Sequence, residues 1–259
     1  MHLAIRNVVL ETISLIASEL SRGRAVILLY HSISDVPSDF AIPTRVFKEQ
    51  VRYLADHFEL VTVSELLAHL ARKPERSRPL AALTFDDGYA DNFDQVLPIL
   101  TAHGIRATFY PITGALNGQR LDRHGRMVRM LSWEQLREIA ARGHEIGAHT
   151  VQHRKLHTLP VEEAQQEISR SKSELELQLN VPVMSFSYPS GRYTAAVKEL
   201  IRAAGFTNAV TINEGTLGPL FDPFELPRIP IQPDTSLAAF KAKTTVAIDW
   251  YVRLRRWKG

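Results

Sequence analysis

The chain has 259 residues, 45% of them hydrophobic and 23% charged, so it can build a sizeable core and is not globally disordered. Lys and Arg number 31 against 28 Asp and Glu, a net charge of only +3, too small an excess for a nucleic-acid footprint. Cysteine is absent, which excludes disulfide scaffolds, thiolate metal sites and Cys nucleophiles; any metal site must be built from His, Asp and Glu, and ten His are available.

No run of eighteen apolar residues occurs that would read as a membrane-spanning helix. In residues 1–24, Ile5, Val8, Val9, Ile13, Ile16 and Leu20 recur at helical spacing, while Glu11 interrupts any export-signal core. This predicts an amphipathic helix docked on the domain. Residues 25–30 (AVILLY) read as a buried strand, and 46–58 as a helix with Thr44 as its N-cap. A short strand at 60–63 precedes a helix over 65–71 capped by Ser64, then a polar loop at 73–79. Strand 80–85 leads to helix 91–103, strand 106–111, and a loop over 113–129. Ser132 caps helix 133–142, which is followed by strand 144–148 and a long helix over 161–179. Strand 184–188, helix 194–204 and strands at 207–211 and 228–231 complete the pattern. Repeated βα units imply a parallel sheet. The expected fold is an α/β distorted or incomplete (β/α) barrel, with an open doubly wound sheet as the second choice. No GxGxxG or phosphate loop follows the first strand.

Polar residues gather just after the predicted strands, at the end of a barrel where active sites sit. Asp86 and Asp87 lie side by side, and such a pair repels unless a cation or donors compensate it. On its own the pair could simply face a helix N-terminus. His149 and His153, spaced as on one helical turn, could converge on one ion. Two imidazoles and one carboxylate leave an open coordination position, as catalytic metal sites require. Zn²⁺ suits such donors best, and Co²⁺, Ni²⁺, Fe²⁺ or Mn²⁺ would also fit.

The segments TFDDG at 84–88 and HTVQH at 149–153 resemble the first two motifs of the polysaccharide deacetylases, carbohydrate esterase family four, also called the NodB-homology domain. LSWEQL at 131–136 and GHEIGAHT at 143–150 look like the approach to the second motif. An early Tyr30-His31 pair is similar to the branch that deacetylates poly-N-acetylglucosamine. The resemblance spans roughly 25–232 and implies a metal-dependent hydrolase that removes N-acetyl groups from a GlcNAc-containing polysaccharide or glycan precursor. It implies Asp87, His149 and His153 as metal ligands and Asp86 as the base toward metal-activated water. Accordingly, 1–24 is expected to be a packed helix, 25–240 the catalytic domain, and 241–259 a basic, aromatic segment.

Two departures from the family pattern carry expectations of their own. The third motif usually reads Arg-x-Pro-Tyr, but Ser187-Tyr188-Pro189-Ser190 stands here, so Arg228 becomes the candidate to orient Asp86. The Ser190 backbone N–H remains available to an oxyanion. The family's late His, a general acid, is also missing, since no His follows His157; His31 is the expected substitute. Tyr188 and Trp133 could offer flat faces to a sugar, although core packing serves them equally well. Asp91 and Asn92 read as helix caps, His144 as structural and His157 as a surface residue. The Trp, Tyr and basic residues of 250–259 suit peripheral membrane contact, against a plain terminal helix. An O-acetyl esterase and a degenerate carbohydrate-binding barrel are the alternatives. Without a clear signal, a cytoplasmic location or the cytoplasmic membrane face is expected.

Overall fold

The structure is a computed structural model, and it describes residues 24–257 apart from 39, 73–77, 123 and 219. The expected N-terminal helix falls on 1–23, outside the described residues. In chain order the elements are β1 (Ala25–Tyr30), β2 (Ser32–Ile33), β3 (Ala41–Ile42), α1 (Thr44–His57), β4 (Glu59–Leu60), α2 (Val63–Arg72) and β5 (Leu80–Asp87). A π-turn at Asn92–Val96 runs into α3 (Leu97–Ala102), followed by β6 (Thr108–Pro111), β7 (Gln119–Leu121), β8 (Met127–Arg129), α4 (Trp133–Ala141) and β9 (Glu145–Ile146). The rest are α5 (Val161–Leu179), β10 (Ser185–Ser187), α6 (Ala195–Ala203), β11 (Asn208–Val210), β12 (Ile229–Pro230), α7 (Leu237–Lys243) and α8 (Ala247–Trp257).

β1 is apolar throughout because it is covered on both faces, as parallel strands usually are. It lies between β5 and β12, and the parallel order continues from β5 to β6 to β9. β4 takes the lower half of β5, pairing Leu80 and Ala81, while β6 takes the upper half from Thr84 to Asp87. Beyond β9, single parallel bridges carry the sheet round: Ala148 to Phe186 at β10, and Val210 of β11 to Leu226, three residues before β12. The strands thus curl into a distorted, incompletely bonded barrel, as expected.

Two packed layers follow from the period-two alternation of the strands. Val26, Leu28 and Tyr30 of β1 and Ala81, Leu83 and Phe85 of β5 face the helices. There Phe85 stacks between Tyr30 and Phe109, with ring centroids 5.5 and 5.0 Å apart. Ile27, Ala82, Tyr110, Val210 and Leu226 form the second layer. Gly147 lets that layer close: a Cβ there would lie 2.3 Å from the Tyr110 ring and 2.8 Å from the Ser185 carbonyl oxygen.

Local chemistry corrects several sequence expectations. Thr44 is the first residue of α1 rather than its cap, and Pro43 precedes it. α2 starts earlier than expected because Thr62 and Glu65 cap each other reciprocally, while the Ser64 hydroxyl bonds Glu145. Ser132 caps α4 through a full capping box with Gln135, as the sequence suggests, whereas Thr194, expected inside the helix, is the cap of α6. The 113–129 stretch is not a plain loop, since β7 and β8 pair antiparallel within it.

Candidate metal centre and active site

The C-terminal strand ends enclose a cleft of about 530 Å³, lined by His31, Asp86, Asp87, His149, His153 and Ser190 among others. Thr84 and Asp86 continue the inward face of β5. Asp87 and Gly88 then turn left-handed, with φ of 70° and 81°, which ends the extended run and leaves both carboxylates on the cleft. A non-glycine residue in that region is strained, and such strain collects at functional sites.

Arg228 is fully buried and meets Asp86 in a two-pronged ion pair: Nη1 donates to Oδ1 and Nη2 to Oδ2, each at 2.7 Å. Its remaining donors reach the Thr211 carbonyl at 2.8 Å, Thr84 Oγ1 at 3.1 Å and Ser187 Oγ at 3.0 Å. Ser187 in turn donates to Asp86 Oδ2 at 3.0 Å. Burial pushes the Asp86 pKa up, but the Arg228 guanidinium and the nearby His149 outweigh it, so the carboxyl sits below its ordinary range. The residue chosen to stand in for the absent motif arginine therefore lies against Asp86.

Asp87, His149 and His153 bring one ligand atom each within 4.8 Å of one another. Asp87 Oδ1 faces His149 Nε2 at 3.5 Å and His153 Nε2 at 3.7 Å, and this buried oxygen has no hydrogen-bond partner. His149 Nδ1 donates to the Ser187 carbonyl at 2.7 Å, which leaves the Nε2 lone pair turned toward Asp87. An orphaned carboxylate oxygen converging with imidazole nitrogens fits a divalent cation. Despite its burial, Asp87 is held ionised far below the usual carboxylate range by the facing His149, His31 and His153. Burial, with His149 beside it, lowers His153 to about 4, so this ring is neutral at pH 7. For His149 burial is overcome by Asp86 and Asp87, and the pKa is raised.

The two histidines are not on a helical turn, contrary to the sequence reading. Thr150 and His153 are left-handed, with φ of 64° and 57°, so the segment is an irregular loop that folds both rings inward. Glu167 of α5 holds that loop: its buried Oε2 accepts from the backbone N–H of Val151 and of Gln152, each at 2.9 Å. On the other side the Thr113 N–H donates to the Thr150 carbonyl and the Gly114 N–H to that of Val151. Sequence reasoning missed Glu167, although its helical spacing from Ala164, Ile168, Ser171 and Leu175 was a usable signal.

His31 lies in the cleft beyond β1, stacked on Phe40 at 4.5 Å. Burial lowers its pKa against the opposing pull of Asp87 and Asp86. Asp91 and Asn92 do not cap a helix. Asp91 accepts from Ser32 Oγ at 2.5 Å and the Ile33 N–H at 3.1 Å, and Asn92 donates to the His31 carbonyl at 2.8 Å. They tie the end of β1 to the turn after β5.

Ser190 is exposed on the cleft wall with φ 58°. Tyr188, by contrast, is fully buried, stacks on Tyr193 at 4.6 Å and donates its hydroxyl to the Phe224 carbonyl, so it offers no face for sugar stacking. Trp133 is half-buried against the core. The Ala107 N–H donates to His144 Nδ1 at 3.1 Å, a structural contact away from the cleft. His157 lies on a short turn after the ligand loop, partly buried rather than fully exposed. The sequence also gave no sign of Arg120, carried on β7 into the cleft.

Comparison with known proteins gives this geometry its context. The chain is 29% identical over 217 residues to the Bacillus subtilis protein YxkH, named as a polysaccharide deacetylase, covering 83% of this chain and 74% of that protein. It is 28% identical over 138 residues to the poly-beta-1,6-N-acetyl-D-glucosamine N-deacetylase of Escherichia coli K12, covering 48% of this chain but only 20% of that longer protein. The fold superposes on the Streptococcus pyogenes deacetylase PplD, whose structure holds acetate, with a TM-score of 0.75 and 25% identity over 85% of this chain and 98% of that one. The polysaccharide deacetylase family model matches residues 73–209, a span that runs from before Asp86 to beyond His153, and the chain belongs to that family.

Proposed function

We propose that this protein is a metal-dependent N-deacetylase that releases acetate from GlcNAc units of a glycan. The observation that carries the reading is the convergence of Asp87, His149 and His153 on one point beside an Asp86 held ionised by Arg228. Asp87, His149 and His153 would hold the ion. A bound divalent cation supplies Lewis acidity, lowering the pKa of water and polarising the acetyl carbonyl. Asp86 accepts a proton from the attacking water at its carboxylate, while Arg228 and Ser187 fix the orientation of that carboxylate. The hydroxyl adds to the acetyl carbon and the C–N bond breaks, giving acetate and a free amine. Ser190 offers its N–H to the developing oxyanion, and the proton that Asp86 takes from water passes to His31, whose pKa burial lowers, and from it to the leaving nitrogen.

The likeness to the E. coli enzyme supports a β-linked GlcNAc polymer as the first substrate to try. Peripheral membrane contact belongs to the same reading. Trp250, Tyr251 and Leu254 of α8 are exposed beside Val252, which lines the cleft. Among the described residues no helix is long and apolar enough to cross a membrane. Sedimentation with anionic vesicles, with and without residues 250–259, tests that contact.

The test of the central reading is the Asp86→Asn variant. It should bind Zn²⁺ as the parent does and release no acetate from N-acetylated glycans. Full activity in that variant would remove Asp86 as the base, and release only from O-acetylated glycans would make the protein an esterase.

A further inference from the structure

Among the described residues that line the cleft Arg120 is the one Lys or Arg, and nothing in the chemistry above uses it. It is not a loose surface arginine. β7 and β8 pair Arg120 with Val128, and along β7 Arg120 is half-buried between the exposed Gln119 and Leu121. The hairpin tip is tied by Asp122, which accepts from the His124 and Arg126 N–H groups and from Arg126 Nε. Its base is tied by the Met130 N–H to the Gly118 carbonyl and by the Ala90 N–H to the Arg129 carbonyl. The strand that carries Arg120 is therefore fixed at both ends of the hairpin.

Its position matters because of what it leaves unpaired. Nη1 is covered from solvent yet has no hydrogen-bond partner, and it stops 3.8 Å from Asp87 Oδ2, too far to be a clamp on that carboxylate. Buried donors without acceptors are rare in folded proteins, and a bound ligand is one thing that satisfies them. On the deacetylase reading, an N-acetylated sugar would bring a carbonyl oxygen to this spot, and the acetate product an anionic one.

Resting on the deacetylase reading, we propose that Arg120 is a substrate-binding residue: its Nη1 donates to the acetyl oxygen of the bound sugar and, after cleavage, to acetate. The metal ligands keep their own work, and the cation of Arg120 adds nothing to holding a second cation.

The experiment compares Arg120→Ala and Arg120→Lys with the parent by steady-state deacetylation, by Zn²⁺ titration calorimetry, and by acetate titration of the zinc-loaded protein. Arg120→Ala should lose about ten- to a hundredfold in kcat/KM, the usual cost of a charged hydrogen bond. Its acetate affinity should fall at least threefold, its Zn²⁺ affinity should be unchanged or tighter, and Arg120→Lys should recover part of both losses. Unchanged kcat/KM and acetate affinity would overturn the proposal. So would a loss of Zn²⁺ affinity with acetate binding intact, which would make Arg120 a support for Asp87 only. If the parent itself releases no acetate from any N-acetylated glycan, the deacetylase reading fails, and acetate titration still decides whether Arg120 binds a carboxylate.

Discussion

Arg228 and Asp86, 142 positions apart in the chain, form a buried two-pronged ion pair at 2.7 Å on both arms. Neither charge could stand alone there, because a buried ion without its partner is strongly destabilising. Arg228→Met should therefore lower stability by about 3–5 kcal/mol and abolish deacetylation. Arg228→Lys keeps the charge but loses the fork, and should fold better than the Met variant while remaining poorly active. Thermal unfolding alongside acetate release checks both, and a stable, fully active Met variant would refute the role given to the pair.

Metal binding should be visible as stability. Zn²⁺ at about a hundred times its dissociation constant should add about 2.7 kcal/mol to the parent through binding the native state alone. Asp87→Asn and His149→Ala should lose most of that gain, whereas a surface change such as Arg45→Ala should keep it. Differential scanning fluorimetry with and without a chelator is sufficient to read the effect.

Glu167 should act on the ion without touching it. It pins the N–H groups of Val151 and Gln152, between the two histidines. Removing such an outer support commonly costs about ten- to a hundredfold in metal affinity. Glu167→Ala should show that loss, and Glu167→Gln, which keeps an accepting oxygen, should recover most of it. Zn²⁺ titration calorimetry measures both.

Two buried groups should pull acid stability in opposite directions. Burial, reinforced by Arg142 and Arg106, lowers His144 from 6.5 to about 4. The unfolded chain takes up that proton first, so the His144 contribution is full above pH 6.5 and is lost as pH falls toward 4. Burial raises Asp91 to about 6, against the lowering effect of its bonds from Ser32, Ile33 and Asn92. The native state keeps that proton longer, so Asp91 favours folding at low pH and this advantage is lost as pH rises through 6. Each amounts to at most about 3 kcal/mol. Urea unfolding of chelator-treated protein from pH 4 to 7 should show Asp91→Asn steepening the acid loss and His144→Asn flattening it.

The sequence exposed what depends on local pattern. The AVILLY run at 25–30 and the helix Val161–Leu179 are legible because burial and periodicity repeat over many residues. The pairing of Arg228 with Asp86 was expected from a missing motif arginine, since a buried carboxylate must find a cation. The ligand loop was misread as helical because the left-handed Thr150 and His153 are held by tertiary bonds from Glu167 and from 113–114, which spacing alone does not reveal. β7 and β8 escaped notice because each is three residues long and half exposed. Tyr188, which sugar stacking and core packing suited equally by sequence, takes the core because its hydroxyl finds the Phe224 carbonyl inside.

The measurement that bears most directly on the account is acetate release from N-acetylated and O-acetylated glycans by the zinc-loaded protein, repeated after chelation and after restoring the ion. The account predicts release from the N-acetylated substrates that disappears with the chelator and returns with the metal. Release that persists undiminished in the fully chelated protein would contradict it.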